Sequence, residues 1–349
     1  PNLSSTASTT VFLGNAPPVA DAGGPYAIDE GQALSLDASA SSDPGDDTLV
    51  FSWDLDNDGT FGDATGENPT VPWATLKTFI TDGLNTIAVQ VTETGNSPNL
   101  SDTATTTVTI TNLTPMADAG GPYEINEGQS LQLDGSDSSD PGGDTLEYEW
   151  DLDNDSVFGD VTGESPLVPW ATLKPYIALG GNTIGLRVTD TGNATNYSDT
   201  ATASLNIVNL PPMAVDDDYS TGETTVLSAD APGLMNNDSD PGDYPINVDV
   251  DKSDATSDEG ITLTLNADGS FAYDPRLKPE FNSLALGESI VDSFSYTISD
   301  GVLESTATVT VTVNGENDAP VMAPGSSFEM DAIDEDEVDN PGMTITALL

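Results

Sequence analysis

The chain repeats itself at a spacing of 97 residues, and this repeat limits the fold more than any other feature. ADAGGPY at 20–26 returns at 117–123, Trp53 returns as Trp150, and Trp73 returns as Trp170. Ser101-Asp102-Thr103 returns as Ser198-Asp199-Thr200, with no insertion anywhere between the copies. Asn2-Leu3-Ser4 shares the phase of Asn99-Leu100-Ser101, so residues 1–16 read as the last strand or strands of a preceding copy. A 349-residue chain built this way is a string of domains of about a hundred residues, each with its own core.

Within each copy the apolar residues alternate with polar ones, as in SLQLDG and TVTITNL. A period of two marks half-buried strands, and clusters of Gly, Pro, Asn and Asp punctuate them. The runs Ala104–Ile110 and Ala201–Ile207 are the clearest strands. WATLK, at 73–77 and 170–174, is long enough for one helical turn, and nothing reads as a long amphipathic helix. Short strands at this density predict antiparallel β-sandwiches, an all-β chain arranged as beads on a string.

Charge narrows the function. Asp and Glu number 60 against 6 Lys and Arg, for a net charge of -54. Such a surface repels nucleic acid and anionic lipid, and its own repulsion calls for divalent cations or high salt. There is no cysteine or histidine, which excludes disulfides, thiol nucleophiles, Ser-His-Asp triads and zinc held by His or Cys. The abundant carboxylate and amide oxygens favour Ca²⁺. No apolar run has transmembrane length, so this segment is expected to make no membrane insertion. Disorder is disfavoured, because 36% of the residues are apolar and they sit in strand patterns.

ADAGGPY, an EGQ turn, LDASASSDPGDDTL and FSWDLDNDG together resemble the polycystic-kidney-disease-type (PKD) domain. The family's WDFGDG motif stands here as WDLDNDG at 53–59 and WDLDNDS at 150–156, one residue longer and one Asp richer. The resemblance implies seven-stranded Ig-like sandwiches, extracellular and non-catalytic, over 17–113 and 114–210. From Pro211 the pattern changes. MAVDDDYST, LMNNDSDPGD, DSFSYTISDG and ATVTVTVNGENDAP resemble the cadherin-like, VCBS-type repeats of large bacterial surface proteins, over 211–318. Residues 319–349 read as the start of a further cadherin-like domain.

DLDNDGTFGD matches positions 1, 3, 5 and 6 of an EF-hand loop, and it returns as DLDNDSVFGD. The expected ligands are Asp54, Asp56 and Asp58 with Asp63, then Asp151, Asp153 and Asp155 with Asp160. The twelfth position is Thr65 or Thr162 rather than Glu, the flanks are strands, and Ser156 replaces the loop glycine, so this is no EF-hand. Asp and Asn also favour turns without any metal. SSDPGDD (41–47) and SSDPGGD (138–144) read first as Asp-Pro-Gly turns, with ligands to a site at the domain end as the other reading. In the cadherin-like part Asp216, Asp217, Asp218, Asp238, Asp240, Asp243, Asn317 and Asp318 are the expected calcium ligands. There the resemblance implies calcium between neighbouring domains.

Trp73 and Trp170 read as packed corner residues, with sugar stacking the alternative. Lys77 and Lys174 are expected to neutralise a carboxylate patch. Acid pairs alone make no glycosidase, which needs a pocket that raises one pKa. The expected function is a calcium-stiffened stalk, filament or adhesin at the cell surface. Its expected partners are neighbouring repeats, other copies of itself, or surface polysaccharide or protein, with Leu3–Leu13 as a candidate donor strand. The alternative is a non-catalytic module of a secreted polysaccharide- or protein-degrading enzyme.

Overall fold

The computed structural model describes residues 14–95, 97–192 and 195–317. Of the strands expected over 1–16, only residues 14–16 fall in this range, and they are not in a strand. The expected start of a further domain at 319–349, like Asp318, lies outside the described residues. The chain forms two compact units. The first runs to Leu210 and includes Asp240–Tyr244; the second comprises Pro211–Ser239 and the residues from Pro245 onward.

The first unit contains the repeat twice. Its first copy has β1 (Tyr26–Asp29), β2 (Leu34–Ser35), β3 (Thr48–Asp54), β4 (Ala64–Thr65), β5 (Thr70–Val71), α1 (Trp73–Leu76), β6 (Gly83–Thr94) and β7 (Ser101–Thr111). The second copy has β8 (Tyr123–Asn126), β9 (Leu131–Gln132), β10 (Thr145–Asp151), β11 (Val161–Thr162), β12 (Leu167–Val168), α2 (Trp170–Leu173), β13 (Gly180–Thr191) and β14 (Ser198–Val208). In each copy a five-stranded sheet, β1-β7-β6-β3-β4 or β11-β10-β13-β14-β8, is joined by a two-stranded one, β2-β5 or β12-β9. This is the seven-stranded sandwich expected from the sequence, with one refinement. The first strand of each copy pairs parallel to the last. Both run from the entrance of the domain towards its exit, so their shared direction follows from the end-to-end path of the chain.

Period-two alternation places the core. Along β6, Ile87, Val89 and Val91 point inward with Trp53 and Leu55, and Ile184, Leu186 and Val188 of β13 do the same with Trp150 and Leu152. The indole N–H of Trp53 donates to Gly66 O at 3.0 Å, and that of Trp150 to Gly163 O at 2.9 Å, so neither buried donor is wasted. The repeated GGPY has a steric reason. A Cβ on Gly23 would stand 2.3 Å from the carbonyl oxygen of Asp37, and its φ is +61°. The same close approach holds at Gly120, 2.5 Å from Asp134 O.

The second unit is a further seven-stranded sandwich. It has β15 (Asp217–Gly222), β16 (Leu227–Ala229), β17 (Asn247–Val248), β18 (Thr264–Leu265), β19 (Phe271–Tyr273), β20 (Ser289–Ser299) and β21 (Glu304–Asn314). Sheet β15-β21-β20-β17 packs with β16-β19-β18. Phe271 anchors the aromatic core, meeting Tyr219 and Phe294 edge-on with centroids 5.0 and 5.8 Å away.

Candidate metal centre

The DLDND loops leave the ends of β3 and β10. Asp54 is 1% exposed, and both its oxygens accept loop amides: Asp58 N at 3.2 Å and Gly59 N at 2.8 Å. Asp56 accepts from Asp58 N, Asp58 from Thr60 N, and Asp63 closes the loop by accepting Leu55 N at 2.8 Å. The second copy repeats this through Asp151, Asp153, Asp155 and Asp160. In each copy the three alternate aspartates bring carboxylate oxygens within 4.8 Å of one another. Desolvation and the neighbouring carboxylates push Asp56 and Asp153 above the usual carboxylate range. Asp54 and Asp151 therefore hold the turn together, while the exposed Asp56, Asp58, Asp153 and Asp155 keep lone pairs for a hard cation. Ser156 takes φ +74°, the conformation Gly59 takes at +89°.

The ligands expected in the cadherin-like part divide between the units. In the second unit Asp238 accepts the Tyr296 hydroxyl at 3.1 Å and Val215 N at 2.7 Å. Asp217 adjoins the same hydroxyl, and burial raises its carboxyl to about 6, with Asp238, Asp216 and Asp218 adding repulsion. Asp216 accepts Thr308 N at 2.8 Å. Asp218 and Asn317 are exposed. Asp240 and Asp243 belong to the first unit, with Glu127 and Lys174.

Within the first unit the two copies interlock through motifs that the sequence shows only as turns. The EGQ turn of the first copy meets the Asp-Pro-Gly loop of the second. A Cβ on Gly31 would lie 2.6 Å from Pro141 O, and one on Gly142 would lie 2.3 Å from Glu30 Oε2. The Trp73 indole N–H and the Lys77 ammonium both donate to Gly142 O, at 2.9 and 3.2 Å. One repeat later Trp170 donates to Gly242 O, and Lys174 donates to Asp243 O while lying over the Tyr244 ring. The tryptophans are thus packed corner residues, as expected. The lysines reach these acidic loops through carbonyl oxygens, whereas Arg187, Lys252, Arg276 and Lys278 form direct ion pairs. An acidic loop that folds back on its own amides turns its carbonyls outward, and these meet the ammonium first.

The PKD domain family matches residues 15–108 and 112–205. The chain belongs to this family. A bacterial cadherin-like domain follows over 209–315, so two tandem PKD domains precede one cadherin-like domain. Domains of both kinds are non-catalytic modules typical of secreted and surface proteins. No curated protein matches the chain. Among solved structures it is similar to the five immunoglobulin domains of Sidekick-1, at 13% identity and TM-score 0.33, covering 87% of this chain and 60% of that one. An I-band fragment of titin has 12% identity and TM-score 0.31, covering 86% of this chain and 99% of the fragment. The protocadherin GammaB4 extracellular domain has 15% identity and TM-score 0.26, covering 85% and 51%. Among the described residues no helix is long and apolar enough to cross a membrane.

Sequence reasoning missed Glu30, Glu93 and Asp190 as possible functional residues. Glu93 and Asp190 continue the inward register of β6 and β13 after Val91 and Val188, and both are 0% exposed. An acid at an inward strand position is the signal that could have found them.

Proposed function

We propose that the chain is a segment of a long extracellular stalk, filament or adhesin, stiffened by calcium, that gives reach, spacing or fibre assembly at a cell surface. The observation that carries this reading is the interlock of consecutive PKD domains. A turn, a tryptophan and a lysine of one domain seat on a single loop of the next. Contacts of this kind resist bending at a linker, which is what a spacer requires and a catalytic module does not. Calcium enters through the exposed aspartates of the DLDND loops and through Asp216–Asp218 with Asp238, oxygen donors of the sort Ca²⁺ prefers. The partners of such a segment are neighbouring repeats or further copies, with surface polysaccharide or protein as the target. The role of accessory module to a secreted enzyme draws no support from Trp73 and Trp170, whose indole N–H groups are already engaged.

Small-angle scattering of the chain in millimolar Ca²⁺ and in chelator at matched ionic strength tests the proposal. A longer, narrower distance distribution with Ca²⁺ is the expected result. Identical profiles would remove calcium stiffening.

A further inference from the structure

The Asp-Pro-Gly loops hold a second set of clustered carboxylates. In Asp43 one oxygen, Oδ1, serves the turn by accepting Gly45 N at 2.7 Å, while the buried Oδ2 accepts nothing from the described residues. Asp140 repeats this: Oδ1 accepts Asp144 N at 3.1 Å, and the buried Oδ2 has no donor among the described residues. A turn explains one oxygen of each carboxylate and leaves the other dehydrated and unpaired, which is costly without a cation.

The neighbours of these oxygens are also acids. In the first domain Glu93, wholly buried, accepts Leu100 N and the Asn15 side chain through Oε1, while its Oε2 is buried and without a donor among the described residues. Carboxylate oxygens of Asp43, Asp47 and Glu93 lie within 4.8 Å of one another. At the junction the equivalent Asp190 is satisfied by Asn112 and by Tyr197 N. There the preceding domain supplies the third acid instead. Glu30, 2% exposed, accepts Leu113 N through Oε1 at 2.7 Å, and its other oxygen faces Asp140 and Asp144, all three groups again within 4.8 Å.

The cadherin-like unit provides a control for this arrangement. Glu223 occupies the same turn and accepts Glu316 N in the same way, but its second oxygen accepts Leu284 N from its own domain. Among the described residues Glu30 has no such internal partner. Burial, with Asp140, Asp144 and Asp82 nearby, raises its carboxyl to about 7. In residues 240–244 Tyr244 stands where Asp47 and Asp144 stand, so that loop is one carboxylate short.

We propose that each PKD domain binds a divalent cation, Ca²⁺ by its all-oxygen donors, at its Asp-Pro-Gly loop: Asp43, Asp47 and Glu93 in the first domain, and Asp140 and Asp144 with Glu30 of the preceding domain at the junction. The junction cation ties one domain to the next. This deepens the calcium reading above but uses none of the DLDND ligands.

Calorimetric titration of the full chain with Ca²⁺, and Tb³⁺ luminescence excited through tryptophan, test it on variants of the junction, of the DLDND loops and of Trp73. Glu30→Gln keeps an acceptor for Leu113 N and removes the charge. Asp140→Asn with Asp144→Asn removes the loop ligands, and Asp144→Asn alone serves where the pair does not fold, as judged by circular dichroism in chelator. Asp56→Asn, Asp58→Asn, Asp153→Asn and Asp155→Asn together strip the DLDND loops. The expected result is loss of one calcium equivalent, or a tenfold or greater weakening of one site, in each junction variant, with the Tb³⁺ signal sensitised by Trp73 lost in Trp73→Phe. Junction variants that titrate like the wild type overturn this site, whether or not the DLDND variant loses calcium. Loss in the junction variants with a silent DLDND variant supports it and removes calcium from the DLDND loops.

Discussion

The indole nitrogen of Trp73 donates to the carbonyl oxygen of Gly142, 69 residues further along the chain, at 2.9 Å. The acceptor lies on the entrance loop of the next PKD domain, so this bond reports on the junction rather than on either core. Trp73→Phe keeps most of the apolar ring and removes the donor. We expect the first unit to lose about 1 kcal/mol in urea denaturation, the worth of one hydrogen bond. An unchanged midpoint would mean that the bond contributes nothing net.

Asp54 and Asp56 are two residues apart and have different tasks. Asp54→Asn places an amide N–H₂ against the N–H of Asp58 or Gly59, and we expect a loss of about 1–3 kcal/mol even in chelator. Asp56→Asn sits at the surface and should leave the melting temperature in chelator nearly unchanged. It should, however, reduce the rise in melting temperature that Ca²⁺ gives. Paired thermal melts with and without Ca²⁺ separate the two effects.

Ser156 holds φ +74° where the first repeat has a glycine. A left-handed L-residue costs about 1–2 kcal/mol. Ser156→Gly should recover about 1 kcal/mol, after the added freedom of glycine in the unfolded chain is subtracted. Gly59→Ser in the first domain should cost a similar amount. Equilibrium denaturation of the two variants checks both signs.

Asp217 governs a pH dependence of the cadherin-like unit. Its folded carboxyl is raised from 3.8 to about 6, chiefly by burial. A group whose pKa is higher folded than unfolded contributes stability that is complete below the unfolded value and lost as pH rises through the folded one. In chelator this unit should therefore become more stable as pH falls from about 6.5 towards 4.5. Asp217→Asn should flatten that slope, and melts across this range read it directly.

Much of the architecture is legible in the order of residues alone. Ile87, Val89 and Val91 alternate with polar residues, and a strand buried on one face must alternate in this way, so the sandwich follows from local pattern. The Trp53–Asp54 step reads as strand into loop for the same reason. Glu93 is harder to see, because an acid among Thr and Gln reads as surface until the inward parity of β6 is known. The contact of Lys77 is not legible at all, because a charge count says that a cation has acids nearby but not which atom it touches.

The sequence by itself determined the tandem repeat, its all-β character and the turns between strands. These depend on spacings of two residues within a strand and 97 between copies. Only the tertiary structure decided that Glu30, at an EGQ turn, meets Asp140 and Asp144, and that Glu30 is buried there. Dehydration and Coulomb repulsion depend on distance in space, and 110 residues of chain separate Glu30 from Asp140.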